Sequence, residues 1–450
     1  MENLKYKTQE DWYEISKLLA AEGIVLLKND NNILPIKNEK IAVFGSTQNE
    51  FTESFIAENI SVDKELYEYY KDWTYKNHKS NNYHSNYQAH SFPEFVPSID
   101  LIKNSKANGA NVAFVIITRY SGEHSDMNHE KGDYLLSDDE FNMIKNVTAV
   151  FDKVVLVLHI GCGIDLSILD EVKIGGIIYT NYLGCNGAAS FSKIIKGEIN
   201  PSGKLTFSLS KYLEDYPSYN IFGQHGGGLI QDYTEDVFVG YRYFETIKGA
   251  DKNLVFPFGY GLSYTDFKFS DLKFIADNNK INIEVTVTNI GSTSGKEVVE
   301  LYFEAPQIDD GAMLSAPKIQ LCGFEKTKLL QPNEKTVLKF SLNIEDMATY
   351  DDLGIIEKSA FILEKGSYKL FVGNSSRNLT LAGEYISQQN EVVQKCHKIE
   401  TTLPLRLNAK GEYEKLPEPE YDPKRYHNIP SQGETKLKIS NTVENNFNSF

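Results

Sequence analysis

Four carboxylates crowd into RYSGEHSDMNHEKGDY, residues 119–134 of this 450-residue chain: Glu123, Asp126, Glu130 and Asp133. They follow NVAFVIIT, an apolar run of strand type. A carboxyl group at the end of a buried strand can work as a general acid or base, and neighbouring carboxylates raise its pKa because two nearby negative charges resist ionising together. Charge density taken alone reads instead as a solvated turn, since Asp and Glu are seldom buried without partners.

Other reactive side chains form weaker constellations. His78, His84 and His90 recur six apart, which fits neither one helix face nor a usual metal pair, and no Cys or carboxylate cluster joins them; no metal is expected. Cys162, Cys185, Cys322 and Cys396 are scattered without C-x-x-C spacing and read as reduced, buried thiols. Asp11-Trp12 and Asp72-Trp73 contain the only two tryptophans, each in a polar helix-like stretch with no apolar strand before it, so the expectation is an amphipathic helix burying its Trp. GCGID at 161–165 lacks the third glycine of a dinucleotide loop and IAVFGST lacks the second, so no cofactor is expected.

Composition narrows the partners. The chain is 41% hydrophobic and 24% charged with a formal net charge of −16, and no Lys/Arg cluster stands out, which argues against nucleic acid. The start, MENLKYKTQEDWYEIS, mixes acids with bases where a secretory signal needs a basic segment and then an apolar run, so a cytoplasmic protein is expected. The longest apolar stretch, VVLVLHIG at 154–161, is far short of the roughly 20 residues that cross a bilayer, and no membrane association is expected.

These residues must be positioned by two kinds of element. From about 10 to 265, short apolar runs (IAVFG, NVAFVIITRY, KVVLVLHIG, GGIIYTNYLG) alternate with helical stretches such as SDDEFNMIKNVTAVF and GAASFSKIIKGE, which predicts a mostly parallel sheet covered by helices, an α/β fold. Ligands of such sheets bind beyond the carboxyl ends of the strands, where the acidic loop lies. Residues 51–105 break the rhythm and read as an insertion, partly loop. After about 268 the period becomes two (KINIEVTVTNIG, EVVELYFEAP, TVLKFSLN, GSYKLFVGNSS), which predicts an antiparallel β-sandwich of about 100 residues. From about 386, KLPEPEYDPKRYHNIP and the Asn-rich end have linker or tail composition. The predicted division is therefore 1–268, 269–385 and 386–450.

Several stretches taken in order resemble glycoside hydrolase family 3, the β-glucosidase-like enzymes. AAEGIVLLKNDNNILPI resembles the entry to the family's α/β-sandwich domain, and SGEHSDMNHEKGDYLLSDDE the loop bearing its acid/base glutamate. GEINPSGKLTFSL, EDVFVGYRYFET and FPFGYGLSYTDF resemble further hallmarks of that domain, and VTVTNIGSTSGKEVVELYFEAP resembles its fibronectin type III-like domain. The family's other catalytic carboxylate, a nucleophilic aspartate, comes from a (β/α)8 barrel, for which this chain has no room. The resemblance implies the inverted domain order of one subgroup, cut short before the barrel.

On that resemblance Glu123 is the acid/base candidate, with Glu130 as the alternative if the alignment shifts toward Lys131-Gly132-Asp133. His124, His129 and Asp133 are candidates for sugar contacts, Asp133 more as an orderer of the loop. The aromatics of FPFGYGLSYTDF are expected to pack the sandwich against the fibronectin-like domain. Three strand ends depart from the family: STQNEFTESF replaces a glycine-rich segment, His159 and Ile164 stand where Asn and Pro are usual, and YTNYLGCNGAAS replaces a Gly-Gln-Glu-rich turn. The expected function is the proton-donor half of a retaining β-glycosidase, needing a separate barrel polypeptide and inert alone on its β-glucoside-like carbohydrate. The alternative is a diverged, non-catalytic relative that binds carbohydrate or a partner protein.

Overall fold

The computed structural model of the chain describes residues 8–78, 93–119, 127–184, 186–221, 232–277, 279–397, 403 and 405–417. Helix α1 (Gln9–Gly23) starts at a capping box, where the Thr8 side chain accepts from Asp11 N and the Asp11 side chain accepts from Thr8 N. Asp11 is thus a cap residue, and Trp12 beside it is 52% exposed, so α1 does not bury its tryptophan as expected.

Five strands follow: β1 (Val25–Asn29), β2 (Lys40–Phe44), β3 (Ala110–Thr118), β4 (Val154–His159) and β5 (Gly176–Tyr179). Their order in the sheet is β1-β5-β4-β3-β2; β2 to β5 are parallel and β1 runs antiparallel on β5. Alternate residues of each strand feed opposite cores. Ala113, Val115 and Ile117 of β3 point to one, and Val112, Phe114 and Ile116 to the other, so helices must cover both faces. Helices α2 (Gln48–Ala57) and α6 (Gly187–Ile195) cover one face through Phe51, Phe55, Phe191 and Ile195. Helices α3 (Lys64–His78), α4 (Ile99–Ala107) and α5 (Asp138–Val150) cover the other through Tyr70, Ile102 and Met143. Much of the stretch expected to be an insertion is therefore core: Phe55, Tyr70 and Ile102 are fully buried. Trp73 packs on Phe95 with ring centroids 5.8 Å apart.

A short pair, β6 (Leu209–Ser210) with β7 (Leu254–Phe256), and helix α7 (Tyr241–Thr246) lead to the second body. There β8 (Phe267–Asp277), β9 (Lys280–Asn289), β10 (Val298–Glu304), β11 (Gln320–Lys326), β12 (Lys335–Asn343), β13 (Thr349–Asp351), β14 (Ala360–Leu363), β15 (Gly366–Gly373), β16 (Leu379–Ser387) and β17 (Glu391–Lys395) are all antiparallel to their neighbours. Sheets β12-β9-β8 and β11-β10-β15-β16 enclose a core that includes Ile283, Val285, Leu301, Tyr368 and Leu370.

The two bodies meet over charge and aromatic rings. Lys204 Nζ lies 2.9 Å from Glu297 Oε1, with the two side chains only 9% and 8% exposed, and Glu22 pairs with both Lys296 and Lys326. Tyr241 packs on Phe258 and Tyr302 at 4.6 and 6.1 Å, so Phe258 of the aromatic stretch sits at this seam, while Phe256 and Tyr260 pack into the core on one face of the first sheet and Tyr264 into that on the other. Beyond 386 the chain is not all tail: β17 joins β14, and a hairpin of β18 (Leu405–Leu407) and β19 (Tyr413–Lys415) buries Leu407 against Phe238 and Ile247. Among the described residues no helix is long and apolar enough to cross a membrane, and no group of three metal-ligating side chains gathers.

Candidate functional site

The acidic loop leaves the carboxyl end of β3. Of its candidate residues, Glu123 and His124 lie outside the described residues, as does Asp126. Residues 127–135 form a knot of turns in which Asp133 N and Leu135 N both donate to Glu130 O. Asp133 is buried, and its Oδ2 accepts from Asn128 N at 2.7 Å and Asn128 Nδ2 at 3.1 Å. Its Oδ1 is buried without a hydrogen-bond partner. Asp133 thus orders the loop and keeps one lone carboxylate oxygen. Glu130 is exposed. His129 reaches away from the loop, its Nδ1 3.1 Å from Tyr219 Oη and its Nε2 3.5 Å from Glu214.

Beneath the loop lies Arg119, 1% exposed. Its guanidinium donates from Nε to Asp133 O (2.5 Å), from Nη1 to Thr118 O (2.9 Å) and Glu140 Oε1 (2.6 Å), and from Nη2 to Leu135 O (3.3 Å) and Glu140 Oε2 (2.8 Å). Glu140 is held in turn by the start of α5: Ser137 N donates to its Oε2 at 2.8 Å, while Glu140 N donates to Ser137 Oγ at 3.1 Å. That reciprocal pair is the capping box written in the sequence as Ser137-Asp138-Asp139-Glu140. The pattern gives Glu140 away as a cap residue, but nothing local says that Arg119, following an apolar strand, turns back under the sheet's end to meet it.

Other polar groups line the same strand ends. Gly45, at φ +114°, ends β2 where a Cβ would lie 2.4 Å from Ile116 O, so the chain turns tightly here. The next residue, Ser46, donates its N–H to Glu94 Oε2 at 3.1 Å, and Phe95 N donates to Oε1 at 2.8 Å. Loss of hydration pushes the Glu94 carboxyl up to about 8 against those two donors. At the end of β4, burial lowers the pKa of His159; its Nδ1 is 2.9 Å from Thr180 Oγ1 and its ring edges onto Phe51. Tyr182 donates its hydroxyl to Arg119 O at 3.4 Å, and its ring lies so close over Gly161 that a Cβ there would sit 2.4 Å from it. Asp165, which follows the end of β4, accepts from Ser167 N and Oγ and closes a turn.

The arrangement therefore combines an exposed Glu130 and a buried Asp133 in the described part of the loop, a buried cation that is paired with Glu140, and Glu94, whose carboxyl desolvation pushes up to about 8. Sequence reasoning missed Arg119, Glu140 and Glu94 because charged residues read as surface unless a partner from elsewhere in the chain is known.

The likeness to known proteins agrees with this geometry. Residues 24–264 match the model of the glycosyl hydrolase family 3 C-terminal domain, and residues 297–376 that of a fibronectin type III-like domain. Beta-glucosidase A of Butyrivibrio fibrisolvens is 35% identical over 90% of this chain and 55% of its own length. A beta-glucosidase of Ruminococcus albus is 33% identical over 85% of this chain and 42% of its own. Among solved structures, a beta-glucosidase from Paenibacillus barengoltzii superposes with a TM-score of 0.84 at 32% identity, covering 93% of this chain and 49% of that one. Beta-glucosidase 3B from Thermotoga neapolitana, in complex with alpha-D-glucose, gives 0.76 at 31%, covering 85% and 55%. The chain spans about half the length of the curated relatives it matches. With a parallel sheet and its strand-end acidic loop under one family model and the following β-sandwich under the other, the chain belongs to glycosyl hydrolase family 3, as that family's C-terminal domain joined to a fibronectin type III-like domain.

Proposed function

We propose that this chain supplies the proton donor of a retaining β-glycosidase acting on β-glucosides, with the nucleophile supplied by a barrel outside these residues. The observation that carries the reading is the loop after β3, rich in carboxylates and anchored on a buried ion pair, in a chain whose relatives are named beta-glucosidases. Retaining hydrolysis needs two carboxyl groups about 5–5.5 Å apart across the glycosidic bond. The nucleophilic carboxylate bonds to the anomeric carbon while the bond to the leaving oxygen breaks, and Glu123 passes its proton to that oxygen. Glu123, now a carboxylate, then takes a proton from water as the water oxygen bonds to the anomeric carbon and the nucleophile departs.

Glu123 ranks above Glu130 on the register of Gly122-Glu123-His124 with the family's acid/base loop; Glu130 is exposed, where a donor working near neutrality gains nothing from desolvation. Asp165 is engaged in its own turn and offers no second carboxylate for the chain to use alone. Helix α1 exposes Trp12, Tyr13, Leu18 and Leu19 at 40–68%, apolar surface suited to being covered by a further domain.

The experiment is reconstitution. The chain alone leaves aryl β-glucosides intact; mixed with its cognate barrel it turns them over; Glu123→Gln then lowers turnover of an unactivated glucoside roughly 10²–10⁴-fold. A mixture that stays inert, or a Gln variant as active as the parent, sinks the reading in favour of a non-catalytic binding role.

A further inference from the structure

A second concave site lies at the seam between the two bodies, away from the acidic loop. Helix α6 follows β5 and so begins near that strand's carboxyl end; its last turn, which carries Lys193, lies toward the opposite end of the strands. There α1, α6 with the turn after it, and the turn between β9 and β10 enclose a cavity of about 340 Å³. Its walls come from both bodies, and small-molecule sites favour such interfaces and volumes of this order.

Each carboxylate that lines the cavity already has a lysine. Glu14 pairs with Lys17 at 2.6 Å, Glu198 with Lys196 at 2.5 Å, and Glu22 with both Lys296 and Lys326. Lys193 has no carboxylate: it is half-buried, lines the cavity, and makes no hydrogen bond or ion pair among the described residues. Three hydroxyls share its situation. Ser202, 7% exposed, lines the same cavity with no partner for its side chain among the described residues, and so do Thr293 and Ser294. Other polar groups of the wall are engaged: Ser190 Oγ donates to Lys17 O at 2.6 Å, and Asn200 bonds Ser263, Tyr264 and Ser294 O. Water can satisfy the hydroxyls, but it does not neutralise the ammonium.

All four groups can donate: an ammonium has three N–H and no acceptor, and a hydroxyl turns to suit its partner. Their complement is an oxyanion. A phosphate monoester brings three strong acceptor oxygens, one more than a carboxylate, and so uses such a set more fully. The cavity equals roughly eleven waters' share of liquid volume, more than inorganic phosphate alone fills. For the rest of the ligand, Leu18 and Leu329 offer apolar wall, and the carboxylates of Glu14 and Glu22 can accept from hydroxyls. We propose that this cavity binds a small phosphate ester of the sugar phosphate class, held by Lys193, Ser202, Thr293 and Ser294, and that the bound ester bridges the two bodies. The site is independent of how the chain takes part in glycoside hydrolysis.

The test is calorimetric titration of the whole chain with glucose 6-phosphate, inorganic phosphate and glucose, with thermal melting beside it. Glucose 6-phosphate is expected to bind saturably and to raise the melting temperature, because it binds only the folded chain. Phosphate and glucose, each lacking half of the recognised groups, should bind at least about tenfold more weakly. Lys193→Met has no partner to lose, so it should melt with the parent when no ligand is present and bind glucose 6-phosphate at least about tenfold more weakly. Ser202→Ala should weaken the ester about threefold and serves as the second variant if Lys193→Met melts early. Three results would each overturn the site: no saturable binding of the ester up to about 10 mM, phosphate or glucose binding as tightly as the ester, or variants that bind it like the parent.

Discussion

Glu94 and Asp133 are carboxylates at one end of one sheet, and their surroundings give them opposite tasks. Asp133 accepts two hydrogen bonds from Asn128 and knots its loop. Glu94 accepts one N–H on each oxygen, yet its desolvation outweighs both and raises its pKa from 4.5 to about 8. Between those values the folded chain holds a proton that the unfolded chain has released, so this group's contribution falls as pH rises through the window. Glu94→Gln removes the titration while sacrificing one acceptor. The melting temperature of the parent relative to Glu94→Gln should therefore decline from pH 5 to pH 8. Parallel pH profiles for the two proteins would mean that Glu94 ionises as it does in water.

At the scale of elements, the turn after β13 shows how one side chain can stand in for a missing ladder. Asp351, 1% exposed, accepts the N–H groups of Gly354 (2.7 Å), Ile355 (3.0 Å), Ile356 (2.7 Å) and Glu357 (2.9 Å) before the chain enters β14. Burial by itself would raise its pKa, but the four donors outweigh it and hold the carboxyl below its ordinary 3.8. Its contribution is thus complete above about pH 4 and is lost as pH falls through the depressed value. Asp351→Asn leaves N–H groups facing an amide and should cost about 3 kcal/mol at pH 7 by urea unfolding, with a smaller difference at pH 2.5. An unchanged urea midpoint at pH 7 would remove this turn from the account of the sandwich.

For the molecule as a whole, the seam between the two bodies decides whether they unfold together. Lys204 donates to Gly261 O at 2.9 Å as well as pairing with Glu297, whose other oxygen accepts from Asn374 Nδ2 at 3.0 Å. Breaking a buried pair by removing one partner costs about 3 kcal/mol. Lys204→Met should therefore lower stability by that order and split one calorimetric transition into two, one per body. A single transition at the parent temperature would show that the seam is carried without this pair, by the aromatic contacts of Tyr241 and the pairing of Glu22 with Lys296 and Lys326. The hairpin β18–β19 extends the same logic: Leu407 N donates to Thr234 O at 2.6 Å, and Arg406 reaches Asp352 at 2.9 Å and Asp236 at 3.5 Å, so the chain beyond the sandwich is tied back to both bodies.

Periodicity alone determined the two architectures. A strand apolar on both faces, such as NVAFVIIT, needs helices on both sides, and a strand of period two needs one covered face; both requirements are local and survive any change in how the chain turns. Short motifs likewise carried the family, and Ser137-Asp138-Asp139-Glu140 carried its cap. What only the tertiary structure decided is where charge is buried. Arg119 meets a carboxylate 21 residues away, Glu94 a backbone donor 48 residues away, and Lys204 a partner in the other body. Much of 51–105, expected as insertion, lies in helices that bury Phe55, Tyr70 and Ile102 in the core, and part of the expected tail became a docked hairpin, for a related reason. A residue's own neighbours in sequence record its average environment, while desolvation and pairing depend on which distant element comes to rest against it.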